Sequence, residues 1–175
     1  MKTTTVNLYQ YSELTDEAKE KARRWLIDGK NYDDMPEAMR VEIENLLEQS
    51  PLETIELGKV YYSLGYSQGD GAMFEGIFKL GKNTFHVEQS GHYYHYNSKS
   101  FQGHNENGEE VYNEKTDDAF NNVYSDLCRK LEKYGYAYIE YEQSEEVIAG
   151  VMEANGYTFE ADGTRRDKRP RPSIN

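Results

Sequence analysis

Apolar positions in the first fifty residues recur at helical spacing. Ala18, Ala22, Trp25 and Leu26 fall on one face, and Thr15 stands before them as an N-cap. Asp16 and Glu17 put negative charge at the start of that helix, and Gly29 closes it. Met35, Met39, Ile43, Leu46 and Leu47 form a second stripe, with Pro36 in its first turn and Pro51 as a stop. Ahead of both, Thr5 to Tyr11 puts Val6 and Leu8 on one face and predicts a strand.

The period then changes to two. Thr54–Tyr66, Ala72–Leu80, Thr84–Glu88 and His92–Tyr96 read as strands. Gly81-Lys82-Asn83 is a hairpin signal. Ser98 to Asn113 is polar and rich in Gly and Asn, so a long loop is predicted, with a short edge strand at Glu110–Tyr112. The helical period returns at Ala119, Phe120, Val123, Tyr124, Leu127 and Leu131, with Thr116 as the predicted cap. Gly135 and the run Tyr134–Tyr141 blur the end of that helix. Ser144 caps a short helix through Val147, Ile148 and Val151, which Asn155-Gly156 ends. Tyr157-Thr158-Phe159 and the turn Ala161-Asp162-Gly163 predict a small final hairpin.

Strands joined by short turns make an antiparallel sheet, and helices before and after it make an α+β fold with about four to five strands. Residues 1–164 read as a single domain, and 165–175 as a basic tail expected to be disordered.

Composition sharpens this picture. Sixteen tyrosines and few aliphatic residues in 175 positions imply an aromatic core with phenolic groups at its edge. The net charge is −12, but Arg165, Arg166, Lys168, Arg169 and Arg171 crowd into the tail with one acid, Asp167. The remainder holds 15 basic and 31 acidic residues, a net −16. Such a body repels nucleic acid and suits a basic protein surface. A single cysteine, Cys128, permits no intrachain disulfide. No apolar run approaches the roughly 18 residues of a membrane span, and Met1-Lys2-Thr3-Thr4-Thr5 lacks a signal-peptide core. The expectation is a cytoplasmic protein without a membrane partner.

Two segments are candidates for binding. Gln68, Gly69, Asp70 and Gly71 link two predicted strands. Their amides could cradle an anion, with Gln68 and Asp70 selecting a polar ligand. Asp-Gly is equally a common hairpin turn, and a plain turn is the better-supported reading. His92, Tyr93, Tyr94 and His95 combine ring types that are enriched at interaction surfaces. Only Lys99 is basic nearby, so core packing on one face with a protein interface on the other is favoured over a base-stacking platform.

All four histidines (His86, His92, His95, His104) fall within 19 residues. His92 and His95 are three apart, so a strand would send them to opposite faces, and no metal site is expected. Acid pairs at helix starts answer the macrodipole. Cys128 has no base near it in sequence. The His-Glu-x-x-His, Cys-x-x-Cys and phosphate-loop patterns are all missing. A non-enzyme without a cofactor is therefore expected.

Three segments carry a resemblance. They are Glu13-Leu14-Thr15-Asp16-Glu17-Ala18-Lys19-Glu20-Lys21-Ala22-Arg23, then Tyr62–Ala72, then His92-Tyr93-Tyr94-His95-Tyr96-Asn97-Ser98. With them the chain resembles a group of small acidic proteins of phages and prophages, over residues 5 to 165. The resemblance implies an accessory protein in the cytoplasm of a bacterial host. It would counter host defence as an anti-CRISPR inhibitor does, by contact with a basic host protein such as a nuclease, with acidic charge mimicking nucleic acid. The alternative is a small-ligand or nucleotide-sequestering module, with the 68–71 loop and His92–Tyr96 lining one pocket.

Overall fold

The computed structural model describes residues 6–166. In chain order they form a 3-10 turn at Tyr11–Glu13, α1 (Asp16–Asp28), α2 (Met35–Glu48), β1 (Glu53–Ser63), β2 (Gly71–Leu80), β3 (Asn83–Gln89) and β4 (Lys99–His104). Then follow α3 (Glu114–Glu142), α4 (Glu145–Ala154), β5 (Thr158–Phe159) and β6 (Arg165–Arg166). The fold is α+β. The chain divides into two compact units. One holds Asp33–Tyr138; the other holds the chain up to Tyr32 and from Ile139 onward.

The larger unit is built on an antiparallel sheet in the order β1-β2-β3-β4. Leu80 pairs with Asn83 across the two-residue turn Gly81-Lys82, as the hairpin signal predicts. Phe74 and Phe78 of β2 and Phe85 and Val87 of β3 are buried, together with Met39 and Ile43 of α2 and Phe120, Tyr124 and Leu131 of α3. The core is aromatic at its centre. The Phe85 and Phe120 rings stack 4.1 Å apart, and Phe74 lies 4.7 Å from Tyr124. The paired register of β2 and β3 stops at Gly76 and Val87. Beyond it, side chains take over the backbone groups. Tyr124 Oη accepts from Phe74 N–H at 3.2 Å and donates to Phe74 C=O at 2.7 Å. Glu75 Oε1 accepts from Gln89 N–H at 3.0 Å. Buried backbone groups left unpaired there would be costly.

Several local expectations change. His92–Tyr96 is an irregular loop, not a strand: Ser90 N–H bonds to Ser98 C=O at 2.8 Å and closes 91–97 into a loop between β3 and β4. β4 lies within the stretch expected to be a loop, and the edge strand at Glu110–Tyr112 shrinks to a bridge between His104 and Glu110. α3 begins at Glu114, before Thr116, because Asn113 Oδ1 accepts from Thr116 N–H at 3.2 Å. It then runs unbroken through Gly135, where a Cβ would come within 2.5 Å of Leu64 Cδ1 and 3.1 Å of Met39 Sδ. That glycine marks close packing rather than a helix end.

In the smaller unit Tyr11, Leu14, Ala18 and Ala22 pack with Ile148, Met152 and Phe159. The α1 and α4 helices keep their predicted caps, Thr15 and Ser144. No strand forms over Thr5–Tyr11 among its described residues; Tyr9 makes a single bridge to Phe159, and Val6 and Leu8 are exposed. The predicted final hairpin is present as β5 and β6. Arg165 and Arg166, assigned from sequence to the tail, are therefore strand residues. The Arg165 guanidinium lies 4.3 Å from both the Trp25 and Tyr157 rings. The rest of the basic segment lies outside the described residues.

Candidate partner-binding surface

The link between β1 and β2 is held by one side chain. Asp70 Oδ1 accepts from Ser63 Oγ at 2.8 Å and Ser67 Oγ at 3.0 Å. Its Oδ2 accepts from Ser67 N–H at 2.8 Å and from Tyr136 Oη at 3.1 Å. These donors, led by the Ser67 amide, lower the Asp70 carboxyl to about 2. Tyr136 moves the opposite way: partial burial and the adjacent carboxylate raise its phenol. Both Asp70 oxygens are thus occupied from within the chain, and Gln68 is exposed beside Ser67. This arrangement keeps the loop closed, and it leaves an incoming ligand little of Asp70 to bind.

Tyr66 of this link has φ of 57°, a left-handed conformation rare for a residue with a bulky side chain. Its ring rests 4.6 Å from that of Tyr136 and is still 69% exposed. β1 ends at Ser63, where its pairing with Gly71 stops, rather than running on to Tyr66.

The 90–98 loop lies against this link. The Tyr93 ring covers Gly69, where an added Cβ would come within 2.5 Å of it. Gly69 has φ of 97°, so glycine is needed there for both conformation and space. His95 stands against Gly71 in the same way, at 2.5 Å from a built Cβ. Tyr93 and His95 stack at 5.9 Å. Tyr94 stacks on Tyr61 of β1 at 5.4 Å, and the Lys59 ammonium sits 4.7 Å from the Tyr61 centroid. Tyr61 pairs with Met73, and Ser63 with Gly71, so the loop packs on one face of the β1–β2 pair. It uses tyrosine rings where another strand or helix could have lain.

The two candidate segments are therefore brought together: Gly69 meets Tyr93, and Gly71 meets His95. His92 is exposed on the same loop. Tyr61, Tyr66 and Tyr136 complete the surface and were not singled out from sequence. Tyr61 and Tyr66 lie close to the 68–71 loop in sequence, whereas Tyr136 lies 66 positions from Asp70.

Other candidates lie elsewhere in this unit. His86 and His104 face each other edge-on at 5.1 Å across β3 and β4. Among the described residues no group of three or more His, Cys, Asp or Glu is placed to hold a metal ion. Cys128 is buried, and that burial pushes its thiol up to about 12, far from a nucleophile's range. Among the described residues no helix is long and apolar enough to cross a membrane. No protein-family model, curated protein or solved structure matches this chain.

Proposed function

We propose that the chain is a non-enzymatic binding protein that engages a basic surface of another protein. The contact is made by the face where the 66–71 link meets the 92–95 loop. The observation that supports it most is that Tyr66, Tyr93 and Tyr94 remain 69%, 56% and 36% exposed while packed into a fixed arrangement. Rigid, exposed tyrosines offer large contact area with little ordering cost on binding. The −16 body around them steers cationic partners. On the resemblance noted above, the partner is a bacterial defence effector whose basic channel normally takes nucleic acid.

The test is binding of the full chain to purified nuclease effectors, measured from about 50 mM to about 500 mM salt. Affinity is expected to fall with salt. Changing Tyr93 and Tyr94 together to Ala should weaken it at least on the order of tenfold. An affinity indifferent to both salt and these residues would remove the proposal.

A further inference from the structure

The opposite end of β1 carries a second surface with different chemistry. β1 is an edge strand, and its strand neighbour among the described residues is β2. Midway along it, Arg40 of α2 donates to Gly58 C=O at 2.7 Å and Leu57 C=O at 3.2 Å, beside the irregularity between Leu57 and Val60. That guanidinium blunts the middle of the edge. Before it, Thr54, Ile55 and Glu56 are exposed, Ile55 at 56%, and the register with β2 shifts a second time between Thr54 and Glu56. Beside this stretch a groove of about 450 Å³ opens between the last turns of α2 and the start of β1. Its apolar floor is Leu47, Leu52 and Leu57, and its rim is Glu44, Glu48 and Glu53. Leu47 and Leu52 are only 4% and 3% exposed, so the floor is firmly packed. Of the three rim carboxylates, Glu44 holds an ion pair, to Arg40 Nε at 2.9 Å.

We propose that this groove takes an extended basic segment of a partner protein, which adds to β1 as a further strand. An open edge supplies backbone donors and acceptors, and a groove beside it receives alternate side chains. The apolar floor selects an aliphatic side chain, and the rim selects lysine or arginine beside it. Arg40 fixes where the added strand must stop. A second copy of this chain fits poorly, because antiparallel self-pairing about residues 54 and 55 brings Glu53 against Glu56 of the other copy. The site is separate from the tyrosine face and stands or falls without it.

The test titrates the isotope-labelled full chain with an acetylated peptide of about seven residues that alternates Lys and Leu. Amide shifts are expected at residues 53–57 and along 44–48. N-methylation of alternate peptide backbone nitrogens, or replacement of Leu by Ser at the same charge, should each weaken binding at least tenfold. Changing Glu44, Glu48 and Glu53 together to Gln should weaken it roughly tenfold, with the circular dichroism spectrum unchanged. The Tyr93 and Tyr94 substitutions should leave this titration as it was, which separates it from the test above. Shifts centred away from 53–57, equal affinity for the N-methylated or serine peptide, or self-association through 53–57 would each overturn the proposal.

Discussion

β2 is entered and left by two connections that do the same mechanical job in different ways. On leaving, Gly81-Lys82 turns the chain in two residues, and a Cβ on Gly81 would meet nothing within 4 Å. On entering, residues 64–70 take seven. They need Asp70 with its four donors, a left-handed Tyr66, and glycines at 69 and 71 pressed by Tyr93 and His95. Setting strand register requires only the first kind of turn. The added construction of the second holds side chains at the surface in fixed positions, and for that reason the proposed binding surface is placed there.

The comparison is broken first at the glycines. Gly71→Ala places a Cβ against His95 Cβ and, at 2.8 Å, its Cα, so backbone must shift; a loss of about 3 kcal/mol is expected by chemical denaturation. Gly81→Ala meets no neighbour and bears only the cost of a φ of 62°, about 1 kcal/mol. Equal losses at the two sites would show that the 64–70 link is no more constrained than a plain turn. Next comes Tyr124→Phe, which removes the hydroxyl that bonds both the Phe74 N–H and the Phe74 C=O in the core. Its expected cost is about 2 kcal/mol, and a loss below about 0.5 kcal/mol would mean that those groups find other partners.

Much of this frame was legible because its signals are local. Thr15, Ser144, the Met39–Ile43 stripe and Gly81-Lys82-Asn83 each act within a turn of their own position, and the structure places them as read. The misreadings around β3 and β4 share one cause, a distant partner. Tyr93 and Tyr94 have strand-forming side chains, but they pack on Gly69 and Tyr61, and their backbone follows. Gly103 looks like loop composition, yet it sits buried in β4, with the Phe85 ring 3.1 Å from where its Cβ would be. At the candidate surface, Ser63, Ser67 and Asp70 are close in sequence, and their spacing suggests a closed turn. Tyr136 arrives from α3, and no local pattern in the sequence announces it.

A smaller effect follows from charge. Asp70 is lowered to about 2, so its contribution is full above the ordinary carboxyl value near 4 and is lost as pH falls through about 2. Asp70→Asn removes that contribution at neutral pH, at a cost of about 1 kcal/mol because its donors are partly in water. The stability gap between the protein and this variant should narrow as pH is lowered from about 4 to about 2. Taking the difference cancels the other carboxylates that titrate in the same window. A gap independent of pH would mean that the loop does not depend on the charge.

The smallest stability change is expected at Tyr66, and it separates packing from binding most sharply. Glycine at a φ of 57° relieves about 1 kcal/mol of backbone strain. Against this stand the lost contact with Tyr136, about 1 kcal/mol, and the greater chain entropy of glycine, about 0.5–1 kcal/mol. The terms nearly cancel, so Tyr66→Gly should alter stability by no more than about 1 kcal/mol. Partner affinity should nevertheless fall on the order of tenfold, because the exposed ring is gone. A variant that loses several kcal/mol would make Tyr66 a structural support of the link. One that keeps both stability and affinity would leave the strained tyrosine without a role in binding, and the proposed contact would then have to rest on the 92–95 loop alone.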